Sequence, residues 1–376
     1  MFLIVPVMLG FGVPFYVRRA SARGIGPAAI RGARRASPLV LATALVAGVV
    51  LAGTLFSGLE TTARTVVALG IAASPLALNW SLDVNYLVGM RRYFAVFLVQ
   101  IAQPTIFTAA IVLLWSVDRL TVSTALTSSV LSTVVTTVVA AMLTRISVRG
   151  RFIRLRTVWR RSRGFYGSAL AEVASARLDI VIALPLVGAE RAGYYSVGVT
   201  VGSLSFVFAH ALATSFFASL ARATAQTLAA TQALAIRQTI SAAVMASVPL
   251  AATAYWLIPL VFGTEFESAV APALVLVAAS LFVLPAYVGS NALGAADRGA
   301  TMTRIQILSL IVGVTAAIAM GPGLGAIGLA LASVISAAVQ FSVTVWALNV
   351  APRDLVPRPR DFPAVIRRLT RAEPTD

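Results

Sequence analysis

Pro38-Leu-Val-Leu-Ala-Thr-Ala-Leu-Val-Ala-Gly-Val-Val-Leu-Ala-Gly-Thr-Leu-Phe-Ser57 is a run of 20 residues with no ionisable side chain. Wound as a helix at 1.5 Å per residue, it is about 30 Å long, the thickness of a bilayer's hydrocarbon core. A β-barrel strand would instead alternate apolar and polar residues over about ten positions. No such alternation is present, and Ile305 to Met320 is a second continuous run. Of the 376 residues, 59% are hydrophobic and 11% are charged. A soluble domain carries roughly 25% charged residues. The apolar excess cannot be hidden in one core, so it must face lipid. These features predict an all-α integral membrane protein.

Charge clusters and Gly/Pro punctuation divide the chain into eleven apolar segments, near 2–17, 38–58, 64–87, 92–116, 121–144, 165–187, 191–221, 236–262, 268–294, 302–320 and 324–349. Segment 2–17 has neither a basic region before it nor a small-residue cleavage site after it, so it reads as a retained helix rather than a signal peptide. Several segments carry proline, which membrane helices tolerate because neighbours re-satisfy the freed carbonyls.

All 30 basic residues are arginine, against 13 acids, and the formal charge is +17. Alternate connections (18–37, 88–92, 145–163, 222–237, 297–304 and the tail after 349) hold 26 of the arginines. The opposite connections hold Arg64, Arg119 and Arg191, beside Glu60, Asp118, Glu190, Glu265 and Glu267. This asymmetry is the positive-inside pattern. It predicts a multi-pass protein of a bacterial cytoplasmic membrane with its C-terminus inside and, for eleven spans, its N-terminus outside. The basic charge is thereby explained by topology and anionic lipid headgroups, and nucleic acid is not expected as a partner. Cysteine is absent and His210 is the only histidine, so thiolate and His-rich metal sites are excluded. Without lysine there is no Gly-rich Lys-Ser/Thr phosphate loop. No enzyme constellation and no cofactor are expected.

The chain also resembles itself. Asn85-Tyr-Leu-Val-Gly-Met-Arg-Arg92 and Asn291-Ala-Leu-Gly-Ala-Ala-Asp-Arg298 stand 206 residues apart, and each precedes an apolar helix, a short turn and a further helix. Val17-Arg-Arg-Ala20 and Leu220-Ala-Arg-Ala223 fall near the same spacing. Two related halves are a common construction of secondary transporters. The expected organisation is an N-terminal bundle of five spans (1–144), an Arg-rich linker (145–163), a C-terminal bundle of six spans (164–349) and a basic tail (350–376). On the spacing of 206, the helix beginning near Gly164 has no counterpart in the first half. The expectation is a twelve-helix plan lacking its first helix, with a start placed too far downstream favoured over a natural eleven-span form.

Four stretches together resemble the polysaccharide export branch of the multidrug, oligosaccharidyl-lipid and polysaccharide flippase superfamily. Arg177-Leu-Asp-Ile-Val-Ile-Ala-Leu184 is similar to the family's seventh helix, and Val187-Gly-Ala-Glu-Arg-Ala-Gly-Tyr-Tyr-Ser196 to its outer turn. Leu260-Val-Phe-Gly-Thr-Glu-Phe266 resembles a later outer turn, and Gly325-Ala-Ile-Gly-Leu-Ala-Leu-Ala-Ser333 the opening of the last helix. The resemblance covers most of the chain after about residue 60. It implies two helical bundles that flip a lipid-linked oligosaccharide or polysaccharide precursor across the membrane. It also implies, as partners, membrane lipids, a polyprenyl-linked saccharide, and a polysaccharide polymerase and glycosyltransferases. The family's first helix helps wall its central cavity, so its absence bears on transport.

Candidate residues follow from chemistry at membrane depth, where an ionisable group usually faces a bundle interior or cavity. Arg177 suits a diphosphate, through the paired donors of its planar fork. Asp179 would couple to a cation or orient Arg177. The alternative for both is a structural ion pair between helices, or snorkelling toward the inner interface. Arg64 is a second cavity candidate, against a surface pair with Glu60. Asn79, Gln100 and Gln103 would meet sugar hydroxyls or bond between helices, and His210 would carry protons or make a helix contact. Arg91, Arg92, Arg154, Arg156, Arg160 and Arg161 would line the inner surface. Asp361 to Arg371 would form an amphipathic helix there. The competing functions are a cation-coupled drug antiporter of the same superfamily, which should bury acids in its cavity, and a non-transporting scaffold of a glycan-assembly complex.

Overall fold

A computed structural model of the chain describes residues 10–54, 61–147 and 149–370; within these, side chains are described except at 62, 63, 74, 176–181, 225, 369 and 370. The described residues form helices and turns with no strand. In chain order the helices are α1 (Val13–Ala22), α2 (Gly26–Arg34), α3 (Ser37–Gly53), α4 (Thr61–Ala72), α5 (Ser74–Gly89), α6 (Tyr93–Ser116), α7 (Val122–Thr144) and α8 (Leu155–Val187). There follow α9 (Ala189–Ser203), α10 (Phe206–Arg222), α11 (Ala225–Phe262), α12 (Val270–Ala295), α13 (Gly299–Leu348) and α14 (Asp361–Thr370). Among the described residues, seven helical stretches are long and apolar enough to cross a membrane, eight if the bent pair of α2 and α3 is one span. Large apolar side chains stay on the outside of these helices, among them Val49, Phe94, Leu113, Trp256, Leu260 and Trp346. That is the arrangement expected where lipid, not water, is the solvent.

The longest helix contains two spans. The 50 residues of α13 would stretch about 75 Å if straight, more than twice the hydrocarbon core. Gly325, at φ 60 and ψ −135, breaks it. The two arms return against one another: the Ser336 hydroxyl donates to the Ser309 carbonyl at 2.8 Å, and Arg298 Nη1 donates to the Ala347 carbonyl at 2.6 Å. The expected segments 302–320 and 324–349 are these two arms. Segment 64–87 spans α4 and α5, which meet at Ala73 just before Pro75, and segment 191–221 spans α9 and α10. The expected first segment, 2–17, is described only from residue 10.

The chain divides into two compact units, Met1–Ala169 and Leu170–Pro374, and the boundary falls inside α8. In the first unit, α1 packs on α5 and α6 on α7. Tyr16, Val17, Ile30, Leu82, Leu87, Val99 and Val158 form its core. The Arg-rich stretch 145–163 packs into this unit. Arg31 donates to the Ser147 and Arg151 carbonyls at 2.8 and 3.1 Å, the Ile153 amide donates to the Ala28 carbonyl at 3.0 Å, and Val158 and Ser162 are fully buried. In the second unit α12 is central, packed by α10, α11 and α13. The tail helix α14 docks on protein. Asp361 accepts from Arg237 Nε and from the Arg358 amide, both at 2.8 Å, Val365 is buried, and Arg368 stacks 4.0 Å over the Phe216 ring.

The internal repeat is visible in local geometry, each half within its own unit. Asn85 and Asn291 each donate to the carbonyl four residues back, at 2.9 Å. The following turns place Arg91 at φ 57 and Asp297 at φ 66. Arg92 donates to the Leu143 carbonyl at 2.7 Å, as Arg298 does to Ala347. Helices α7 and α13 then end on left-handed residues, Arg145 and Asn349. In both units an arginine at the start of one span (α6, or the first arm of α13) thus satisfies an otherwise orphaned carbonyl at the end of the next (α7, or the second arm of α13).

Candidate substrate cavity in the C-terminal unit

A cavity of about 420 Å³ lies within the second unit, walled by α8, α9, α12 and both arms of α13. Its polar lining is seven serines (175, 203, 205, 280, 309, 333 and 336), two tyrosines (195 and 287), Gln306, Gln340 and Glu172. Glu172 is the one charged side chain among the described lining residues. Small residues make the space possible: Gly202, Gly313, Ala279, Ala317 and Ala332 face it. The hairpin at Gly325 supplies two of the walls from one stretch of chain, which is why residues as distant as Gln306 and Ser336 share the lining.

Six of the seven serine hydroxyls donate to backbone carbonyls. Ser203, Ser205 and Ser280 donate to the backbone carbonyls of Thr200, Gly202 and Val277 at 2.6–2.7 Å. Ser309 donates to Gln306 at 3.0 Å and Ser333 to Leu329 at 3.2 Å. Such back-bonding leaves each serine oxygen with lone pairs only. The Tyr195 hydroxyl lies 3.0 Å from Ser333 Oγ. At one side Phe206, His210 and Tyr287 form an aromatic cluster, with ring centroids 4.9–5.3 Å apart, and the Tyr287 hydroxyl is 3.4 Å from both His210 ring nitrogens.

The residues singled out in the sequence are dispersed. Arg177 and Asp179 lie in α8, but their side chains are outside the described residues. His210 adjoins the cavity through Tyr287 and Phe206. The others belong to the first unit. Arg64 is half-buried in the first turn of α4, and Glu60 is outside the described residues. Asn79 donates to the Pro75 carbonyl at 2.9 Å and meets the Ser37 hydroxyl at 3.4 Å, tying α5 to α3. Gln103 donates to Thr133 Oγ1 at 3.3 Å, tying α6 to α7. Gln100 is exposed on α6. Arg91 and Arg92 are half-buried at the turn before α6, while Arg154, Arg156, Arg160 and Arg161 are exposed. Sequence reasoning missed Gln306, Ser309, Ser333 and Ser336. Their only signal is serine and glutamine at helical spacing in otherwise apolar helices. Asp83 was not among the candidate residues either. Asp83 is fully buried and pairs with Arg34 Nη2 at 2.6 Å.

No family model matches the chain, and no curated protein matches it. Solved structures do. The structure of MATE in the bent conformation aligns with a TM-score of 0.73 at 15% identity, over 98% of this chain and 86% of that one. The outward-facing conformation of a multidrug resistance MATE family transporter of the MOP superfamily gives 0.70 at 16%, over 97% and 86%. A MOP superfamily transporter from Pyrococcus furiosus, described as having a binding pocket of reverse polarity, gives 0.65 at 13%, over 99% and 86%. At these identities the likeness is one of fold: the chain has the helical fold of the MATE structures.

Proposed function

We propose that this chain is a transporter of the cytoplasmic membrane that moves a lipid-linked saccharide precursor from the inner to the outer leaflet. The fold it shares with MATE structures supports transport. The saccharide cargo rests on the motif resemblance and on one observation: the cavity is lined by eleven neutral hydroxyl and amide side chains beside the aromatic rings of Tyr195, Phe206 and Tyr287. Hydroxyls and amides match the hydrogen-bonding edges of a sugar, and aromatic faces match its apolar C–H faces. The physical task is to carry a polar head through an apolar slab while its lipid tail remains in the bilayer. A polar cavity inside a helical unit serves that task without a chemical step, so no enzymatic reaction is proposed. The supplier is a glycosyltransferase that builds the precursor, and the consumer is a polymerase on the opposite side. The exposed arginines of 149–163 and the tail meet anionic headgroups on the cytoplasmic side.

A strain lacking the chain tests this reading. Lipid-linked precursor should accumulate on the inner leaflet several-fold over the parent. Depletion of precursor would instead indicate a scaffold of the assembly complex.

A second reading, export of an organic cation, is favoured by Glu172, the one charged group among the described lining residues. Under this reading the same strain keeps a normal precursor level and becomes sensitive to lipophilic cations such as ethidium.

A further inference from the structure

We infer that each unit carries its own interfacial helix, the first turns of α8 in one and α14 in the other, and that both insert apolar side chains among the anionic headgroups of the inner leaflet. The inference does not depend on the cargo. It follows from extending the internal repeat past the last span of each unit. Helices α7 and α13 end on the left-handed residues Arg145 and Asn349, 204 residues apart. Helices α8 and α14 begin at Leu155 and Asp361, 206 residues apart. Within them Val158-Trp-Arg-Arg161 matches Val365-Ile-Arg-Arg368. An arginine holds the start of each element. Arg31 of α2 donates to the Ser147 and Arg151 carbonyls ahead of α8, and Arg237 of α11, 206 residues further on, donates to Asp361. Each helix also rests on a phenylalanine of its own unit: Phe165 stacks on Phe15 of α1 at 5.8 Å, and Arg368 lies 4.0 Å over Phe216 of α10. Val158 and Val365 point inward and are fully buried.

The next position faces outward in both. Trp159 is 40% and Ile366 is 50% exposed. Phe152 and Val356, 204 residues apart on the approach to each helix, are 43% and 61% exposed. Exposed arginines flank these side chains, Arg154, Arg156 and Arg160 in the first unit and Arg358, Arg360 and Arg367 in the second. A large apolar side chain ringed by arginines suits neither bulk water nor the hydrocarbon core. It suits the boundary between acyl chains and headgroups, where amphipathic helices with a basic polar face bury their apolar side. Tryptophan concentrates at that depth, and arginine lays its stem along apolar surface while its guanidinium reaches the phosphates. The acid of α14 is used within the protein, since Asp361 is buried and paired with Arg237. The outward surface is therefore cationic, and anionic lipid is its complement. The buried valines fix each helix to its unit, so the exposed residues have a set depth.

The chain has no cysteine, so Trp159→Cys and Ile366→Cys each create a unique site for a bimane fluorophore. The labelled full-length chain is placed in nanodiscs of phosphatidylcholine and phosphatidylglycerol, with one of the two lipids brominated either near the headgroup or near the chain end. Both labels should be quenched more by shallow than by deep bromine, and a label at Val49→Cys, mid-span in α3 and exposed, should show the reverse order. Brominated phosphatidylglycerol should quench labels 159 and 366 in preference to brominated phosphatidylcholine. Arg160→Gln, read at label 159, and Arg367→Gln, read at label 366, should each cut that preference by about fivefold, the worth of one arginine at an anionic surface. Phe152→Cys and Val356→Cys carry the same test if the first pair does not fold. Labels beyond the reach of both lipids, as for a face that meets water or a protein partner, overturn the inference. So does quenching in one unit alone, deep quenching at either site, or equal quenching by the two lipids.

Discussion

Replacing Arg34 with alanine is expected to destabilise the chain far more than replacing any exposed arginine. Asp83 is buried in α5, and its side chain is 1% exposed. Arg34, at the end of α2, reaches it at 2.6 Å across 49 residues of sequence. Removing the arginine strands a carboxylate in a medium that cannot solvate it. Breaking one partner of a buried pair costs about 3–5 kcal/mol, because the remaining charge loses its compensation. The exposed Arg156 is the control, since surface charges contribute about 0–1 kcal/mol. The double variant Arg34→Ala, Asp83→Asn should recover most of the loss, because neutralising the carboxylate removes the stranded charge. Thermal unfolding in detergent, followed by retention of the monodisperse species, reads the series. Equal stability of Arg34→Ala and Arg156→Ala, or no recovery in the double variant, would show that the pair does not anchor α2 to α5.

The second large effect is expected at Gly328. The two arms of α13 approach so closely beyond the break that a Cβ at 328 would meet the Met320 carbonyl oxygen. Small residues at helix contacts permit such approach in membranes. Gly328→Ala forces the arms apart, at a cost of about 3 kcal/mol for an overpacked site with backbone on the far side. Both arms wall the cavity, so ligand binding should fall together with stability. Gly323, one turn earlier, has open space around it. Gly323→Ala should be neutral or stabilise by up to about 1 kcal/mol through helix propensity. Opposite signs at two glycines five residues apart separate a packing requirement from composition alone.

What the sequence disclosed and what it concealed follow from the range of the forces involved. The run 38–57 could be read from its own residues, since length and hydropathy are local properties. The repeat was legible because Asn85 to Arg92 and Asn291 to Arg298 each build a turn from neighbouring residues, and both turns form with the same bonds. Gly325 was recognisable as the opening of the last helix, and it is the residue that adopts the left-handed backbone. The cavity was not legible. Its serines and glutamines are neutral, scattered over four helices and embedded among alanines, so no spacing distinguishes them from helix contacts. Asn79 and Gln103, polar residues of the same kind, turn out to tie helices together. Asp83 carries no local signal of its pairing, because its environment is set by a residue 49 positions away. The stretch 145–163 was read by its arginines alone. Its backbone and Val158 pack into the first unit while most of its arginines face outward.

Translocation by the purified chain in proteoliposomes decides the cargo. A short-chain prenyl diphosphate bearing a hexose that a fluorescent lectin can reach is placed in the inner leaflet, and its appearance outside is followed with time. A saccharide transporter should expose the hexose at a rate at least about tenfold above protein-free vesicles, roughly 1.4 kcal/mol in barrier terms, with the bare diphosphate lipid moving no faster than background. Ethidium transport with no movement of the hexose-bearing lipid would contradict the saccharide cargo and establish the cation reading in its place.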